Sequence, residues 1–171
     1  MNISKATLED IPELVRLINS AYRGEDSKKG WTTEADLLGG LRTDKETLEE
    51  LMSAPGAQLL KFCDADHKLQ GCVYVKKTGN SMYLGMLTVS PWEQAKGVGK
   101  KLLAAAEKYA QEQRCKAVNM TVISVREELI HWYEKHGYYK TGETKPFPAS
   151  EKLAVPKQPL ELIVMEKKVG A

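Results

Sequence analysis

The chain opens on a short stretch, residues 3–6, whose position and length predict an edge strand. Thr7 then stands where a helix N-cap would, with Asp10 three residues on and Pro12 in the first turn. Leu14, Leu17, Ile18, Ala21 and Tyr22 follow at helical spacing, and Gly24 ends the run. Residues 24–31 read as a polar loop. A second helical stretch is expected from a cap at Thr32 or Thr33 through Leu41, weakened at its end by Gly39-Gly40. Thr43 opens a third, residues 45–52, and Pro55-Gly56 closes it.

In the middle of the chain the period changes. Residues 58–63 and 69–77 read as strands around the turn-like Asp64-Ala65-Asp66-His67, and Gly79-Asn80 is a second turn signal. Residues 81–89 form the third strand. Strict alternation puts Tyr83, Leu87 and Val89 on one side and Met82, Leu84 and Met86 on the other. Both sets are largely apolar, so this strand is expected inside the sheet, covered on both faces. Pro91 stops it.

A strong helix is expected from Val98 to about Arg114, with Leu102, Leu103, Ala106, Tyr109 and Ala110 on one side. Residues 117–124 read as a strand and 126–136 as a helix ended by Gly137. Residues 138–142 and 160–167 are the last strands. Between them, residues 143–159 carry Pro146, Pro148, Pro156 and Pro159 and read as a long loop, either a binding loop or a rigid connector. The order of elements predicts an α/β fold: a mixed sheet with helices on both faces.

Composition adds bounds. The 171 residues suit a single domain spanning 1–171. The 42% hydrophobic and 28% charged residues are those of an ordinary globular chain. A formal charge of +2 is too even to point to nucleic acid or a membrane surface. No apolar run has the length of a membrane span, and residues 1–6 lack a signal-peptide stretch. Cys63, Cys72 and Cys115 are odd in number and lack C-x-x-C spacing, so neither a metal site nor a disulfide framework is expected. They read as small core residues in a reducing compartment, hence a cytoplasmic chain.

The chemistry concentrates at one junction. A strand ends at Ser90-Pro91-Trp92-Glu93 and a helix begins after Gln94-Ala95-Lys96-Gly97-Val98-Gly99-Lys100. A helix start reached through glycines offers unpaired N–H groups and the positive end of the helix dipole to an anion. Lys96, Lys100 and Lys101 add charge. A P-loop would need glycine where Gln94 stands and Ser or Thr where Lys101 stands. A dinucleotide fingerprint would need glycine in place of Leu102. A bare helix start with no ligand is the alternative that the glycines alone leave open.

Gln94-x-x-Gly97-x-Gly99, following Leu87-Thr88-Val89-Ser90-Pro91, resembles motif A of the GNAT superfamily of N-acetyltransferases. Downstream, Trp132-Tyr133-Glu134-Lys135-His136-Gly137-Tyr138 is similar to the same family's Y-E-K-x-G-[FY] block, and residues 5–12 resemble a common opening of its members. The likeness covers essentially the whole chain. It implies a GNAT-like, mostly antiparallel sheet with a splayed central strand pair, and acetyl-CoA as cosubstrate with no metal. The acetyl group would pass to a primary amine of a small molecule or peptide by direct attack on the thioester. The protein would be a monomer or homodimer.

By match, backbone amides of Gln94, Ala95, Lys96, Gly97, Val98, Gly99 and Lys100 would wrap the CoA pyrophosphate. Backbone groups of Leu87 and Val89, with Thr88 between, would bond the pantetheine arm, opposite a strand edge near residues 122–124. Arg126 stands where the family often has Asn; it could meet a phosphate, or simply cap a helix or form a surface ion pair. Tyr133 matches the tyrosine assigned as general acid. With a phenol near pKa 10 and a thiol near 8.5, full proton transfer is uphill by about 2 kcal/mol, so Tyr133 is better read as stabilising the leaving thiolate. The alternative is an aromatic core cluster of Trp132, Tyr133, Tyr138 and Tyr139.

Some relatives carry a catalytic carboxylate on the strand before motif A. Here Tyr83 and Gly85 occupy those positions. Glu34, Asp36, His131, His136 or a water chain remain as candidate bases. The acceptor is expected near Tyr22-Arg23-Gly24, Trp31–Glu34 and Lys145–Pro148. The competing function is a non-catalytic acyl-CoA-binding or sensor domain.

Overall fold

The computed structural model describes residues 2–22, 38–39, 42–91, 97–147, 155–157 and 159–170. Strand β1 (Asn2–Lys5) leads through a 3-10 turn (Leu8–Asp10) into helix α1 (Ile11–Tyr22). The Thr7 N–H donates to Asp10 Oδ2 at 2.9 Å, and the Asp10 N–H to the Thr7 carbonyl at 3.0 Å. The expected cap is therefore present, but it starts a 3-10 turn that precedes the α-helix. The five positions expected to face the core, Leu14 to Tyr22, are all buried.

The elements that follow are β2 (Leu38–Gly39), α2 (Lys45–Ser53), β3 (Ala57–Cys63), β4 (Leu69–Thr78), β5 (Ser81–Val89), α3 (Val98–Glu112), β6 (Ala117–Ile123), α4 (Glu127–Lys135), β7 (Tyr139–Pro146), β8 (Val155–Pro156) and β9 (Glu161–Lys168). Three expectations need correction. Asp44, not Thr43, caps α2: its Oδ1 accepts from the Thr47 N–H at 2.8 Å, and its charge suits the helix N-terminus. Leu38 and Gly39 are not helical but pair with Pro156 and Val155, so partners distant in sequence overrode local helix propensity. The rest of that predicted helix lies outside the described residues. Finally, residues 143–146 are not loop. Thr144, Lys145 and Pro146 pair with Ile163, Leu162 and Glu161 on β9, after Gly142 takes up a ladder irregularity at φ 92°. Pro146 is tolerated at the end of an edge strand.

Seven strands form one sheet in the order β1-β3-β4-β5-β6-β9-β7, and β2 with β8 forms a separate two-stranded ribbon. All neighbours in the large sheet are antiparallel except β5 and β6. One face packs on α1 and α2 through Leu14, Ile18, Leu48, Leu59, Cys72, Tyr74 and Met86. The other packs on α3 and α4 through Val73, Met82, Leu84, Leu102, Ala106, Ile130 and Met165. Strand β5 is covered on both faces, as its composition requires.

The parallel pair holds for only three rungs: Ser81↔Ala117, Met82↔Val118 and Tyr83↔Asn119. Beyond them β5 runs on to Val89, paired only with β4, and β6 to Ile123, paired only with β9. The sheet is forked at its centre. A bulge lies on one arm. Tyr74 faces Gly85 but Cys72 faces Thr88, so β5 carries one residue more than β4, and Met86 takes φ 48°. A bulge bends and twists its strand.

It also resets the alternation. Leu87 and Val89 join Met82 and Leu84 on the α3/α4 face, while Met86 turns to the α1/α2 face with Tyr83. Strict alternation predicted the opposite placement for Met86, Leu87 and Val89. The extra residue inverts every side chain beyond it.

Candidate functional site

Three elements converge on the fork: the start of α3, the bulged end of β5, and α4. Gly97 is the N-cap of α3 at φ 76°, a left-handed conformation that a Cβ disfavours. The Lys101 N–H closes the first turn on the Gly97 carbonyl at 3.1 Å. The N–H groups of Val98, Gly99 and Lys100 precede it at the positive end of the helix, where no intrahelical acceptor exists. No acidic residue lies in that first turn. This end of the helix can take an anion. Gln94, Ala95 and Lys96 lie outside the described residues.

A glycine that sequence reading passed over sets the position of α3. A Cβ on Gly71 would stand 2.8 Å from Leu102 Cδ1, 2.8 Å from the Thr88 carbonyl oxygen and 3.1 Å from Val98 Cγ1. The helix start therefore lies directly on β4, next to the end of β5.

On β5, Thr88 is fully buried and its hydroxyl donates to the Met86 carbonyl at 2.8 Å, so its side chain serves the bulge. Val89 is buried in the α3/α4 core. The Leu87 carbonyl already accepts a hydrogen bond from the Tyr22 hydroxyl at the end of α1. Tyr22 is in turn covered by the Arg42 guanidinium, 5.2 Å from its ring centroid. Asn19 holds that neighbourhood together: its Oδ1 accepts from the N–H groups of Arg42 and Thr43 at 2.7 and 3.0 Å.

Tyr133 on α4 and Tyr138, just beyond its end, divide their roles. The Tyr138 hydroxyl donates to Glu107 Oε2 at 2.9 Å, and Lys167 donates to Glu107 Oε1 at 3.0 Å. That network ties the end of α4 to α3 and β9, and Tyr138 is structural. The Tyr133 ring packs edge-on against Trp132 and Tyr138, with centroids 5.1 and 5.7 Å away. Among the described residues none hydrogen-bonds the Tyr133 hydroxyl, and no fully buried side-chain polar atom lacks a partner. The hydroxyl therefore opens on accessible space.

Burial pushes the Tyr133 pKa far above the usual phenol range. The Tyr22 and Tyr83 hydroxyls act in the same direction, and the Arg126 charge opposes them. Tyr133 belongs to the α3/α4 face, whereas Tyr22 and Tyr83 belong to the α1/α2 face. These groups interact across the sheet where its two central strands part.

Arg126 is half-buried at the N-cap of α4, with no side-chain capping bond. Its charge bears on the Tyr133 end of the site. Among the other candidates, the His136 ring nitrogen Nδ1 lies 2.7 Å from the Trp132 carbonyl at the C-terminus of α4, and His131 is exposed. Glu34, Asp36 and Trp31 lie outside the described residues. Tyr83 lays its ring over Gly85: a Cβ there would stand 2.9 Å from the ring. Sequence reading had Tyr22 as a core position and as a border of the expected acceptor region, but not its bond to β5, because a helical apolar stripe does not distinguish a packed ring from one whose hydroxyl bonds another element.

The family model described as acetyltransferase (GNAT) family matches residues 12–138. No curated protein matches the chain in sequence. The ribosomal-protein-S18-alanine N-acetyltransferase of Escherichia coli has the same fold: TM-score 0.74 at 12% identity, over 99% of this chain and 94% of that one. A ribosomal-protein-alanine N-acetyltransferase of Brucella melitensis gives 0.71 at 20% identity, over 98% and 99% of the two chains. An N-acetyltransferase of Staphylococcus aureus gives 0.71 at 14% identity, over 98% of each.

Proposed function

Because the chain belongs to the acetyltransferase (GNAT) family, whose members transfer an acyl group from an acyl-CoA, we propose that it moves an acetyl group from acetyl-CoA to a primary amine. The acceptor is a small molecule or a peptide. The observation that carries this reading is the fork, where β5 and β6 part after Tyr83↔Asn119 and the Tyr133 hydroxyl, a donor without a partner among the described residues, opens on accessible space.

Bound acetyl-CoA supplies an activated thioester: the amine nitrogen forms a bond to the carbonyl carbon, the C–S bond breaks, and the amine proton leaves to base or water. The first turn of α3 would take the pyrophosphate, with Gly97, Val98, Gly99 and Lys100 presenting N–H groups and Gln94, Ala95 and Lys96 leading in. Their fit is supported by the left-handed Gly97 and the absence of acidic residues in that turn. The arm of β5 at Leu87, Thr88 and Val89 would lie along the pantetheine. Since the Leu87 carbonyl already accepts from Tyr22, the Leu87 N–H is the group expected to bond it.

Tyr133 would donate to the departing sulfur. Burial supports that role, since it keeps the phenol protonated and able to donate throughout the working range. Arg126 would lower the energy of negative charge developing beside it. The chain is taken to be cytoplasmic, as three free cysteines support. Calorimetric binding of acetyl-CoA, followed by thiol release against a broad panel of amines and peptides, tests the proposal. Binding with amine-dependent release is expected. Binding without release from any amine would favour the sensor alternative.

A further inference from the structure

Between α2 and the sheet lies a cleft of about 660 Å³, within the range of small-molecule sites. Its roof is one stripe of α2, Thr47, Glu50 and Leu51, with the C-cap residue Ala54. Its floor contains a row that crosses three strands. Lys76 on β4 pairs with Tyr83 on β5, and Tyr83 pairs with Asn119 on β6. Directly opposed residues stand on one face of a sheet, and all three line the cleft. Tyr83↔Asn119 is also the last rung before the strands part. The cleft thus ends where the fork begins.

The charges in this cleft are unusual for a site that receives a simple alkylammonium ion. Lys76 is half-buried in the floor, and among the described residues no carboxylate pairs with it. Glu50 in the roof likewise has no ion-pair partner among them. A lysine next to the reaction centre repels a purely cationic acceptor. An unpaired cation and an unpaired anion around one cavity match a ligand that carries both signs.

We infer that the acceptor is an amino-carboxylate, an amino acid or a short peptide with a free carboxylate, and that Lys76 recognises this group. The inference rests on the amine acetyltransferase reading above. The reacting amine then sits at the Tyr83–Asn119 end of the floor, against the fork, and Lys76, one strand away, holds the carboxylate. Glu50 disfavours acceptors that are wholly anionic.

The test measures acetyl-CoA-dependent thiol release with matched pairs of acceptors: amino acids and dipeptides against their C-terminal amides, which keep the amine and lose the carboxylate. The carboxylates are expected to show KM values about 10- to 100-fold lower than the amides, the scale of one charge-assisted contact. Lys76→Gln should raise KM for the carboxylates by that factor and leave that of the amides unchanged or lower. Lys76→Glu should reverse the preference toward diamines. Acetyl-CoA affinity, read in parallel, reports that each variant is folded. Equal KM within pairs, or an equal loss for both members in Lys76→Gln, overturns this inference alone. No release from any acceptor, with acetyl-CoA still bound, overturns the parent reading and this one with it.

Discussion

The hydroxyl of Tyr22, the last residue of α1, donates to the carbonyl of Leu87 in the bulged segment of β5. A helix on one face of the sheet is thereby pinned to one arm of the fork. Tyr22→Phe leaves that buried carbonyl short of a donor. It should lower stability by about 1–3 kcal/mol, read as a shift in the urea midpoint at constant m-value. Turnover should fall as well, because the arm loses its support. A variant with wild-type stability and turnover would show that the bond supports neither.

Tyr133 is the opposite case, since its hydroxyl has no partner among the described residues to lose. Tyr133→Phe should therefore change stability by less than about 0.5 kcal/mol. It should lower kcat by about 10²–10³-fold and leave acetyl-CoA affinity close to wild type. Burial keeps the phenol protonated well past its ordinary value, so the wild-type rate should rise with pH as the amine loses its proton, with no descending limb near pH 10. A descending limb present in wild type and absent in Tyr133→Phe would contradict this.

Two glycines test the placement of α3 in different ways. At Gly97 a Cβ meets no atom within 4 Å, but the backbone stands at φ 76°. Gly97→Ala should cost about 1–2 kcal/mol through the backbone alone and weaken acetyl-CoA binding as the first turn relaxes. At Gly71 the backbone is ordinary and space is the constraint, with Leu102 and the Thr88 carbonyl both 2.8 Å away. Gly71→Ala should cost about 1–3 kcal/mol and push α3 off β4. Acetyl-CoA affinity measured by calorimetry in both variants separates the effects; unchanged affinity in both would remove the pyrophosphate from this helix end.

The Cys72 thiol is fully buried, and burial pushes its pKa from 9.0 up to about 12, against the Thr88 hydroxyl and the Arg42 charge. The unfolded chain ionises first. The contribution of this group is therefore complete below about pH 9 and is lost as pH rises toward 12. The slope between those values should reach about −1.4 kcal/mol per pH unit from this residue. Denaturant unfolding at several pH values, compared with Cys72→Ala, isolates it: the variant should lose stability less steeply by about that amount. Parallel slopes would show that the thiol ionises alike in both states.

Local signals were enough for most of the fold. The stripe Leu14–Tyr22 had the right face, the meander β3-β4-β5 was bounded by the turns at Asp64–His67 and Gly79-Asn80, and Gly137 ended α4 at φ 95°. What failed depended on partners far away in sequence. Leu38 and Gly39 became a strand because Val155 and Pro156 lie beside them, and residues 143–146 because β9 does. The candidate site divided in the same way. Gly97 and Tyr133 belong to recognisable motifs and Tyr22 to a helical stripe beside the expected acceptor region, whereas the bond of Tyr22 to β5 and the places of Gly71 and Lys76 had no local signature.

By itself the sequence determined the family, the mixed α/β order and the glycine-led start of α3, because each is written in residues close together along the chain. Only the tertiary structure decided that β5 and β6 part after Tyr83↔Asn119 and that Met86 turns the strand over. It alone decided that Tyr22 and Tyr83, on one face of the sheet, bear electrostatically on Tyr133, on the other. One inserted residue in a ladder inverts every side chain beyond it, and its position shows only against the partner strand.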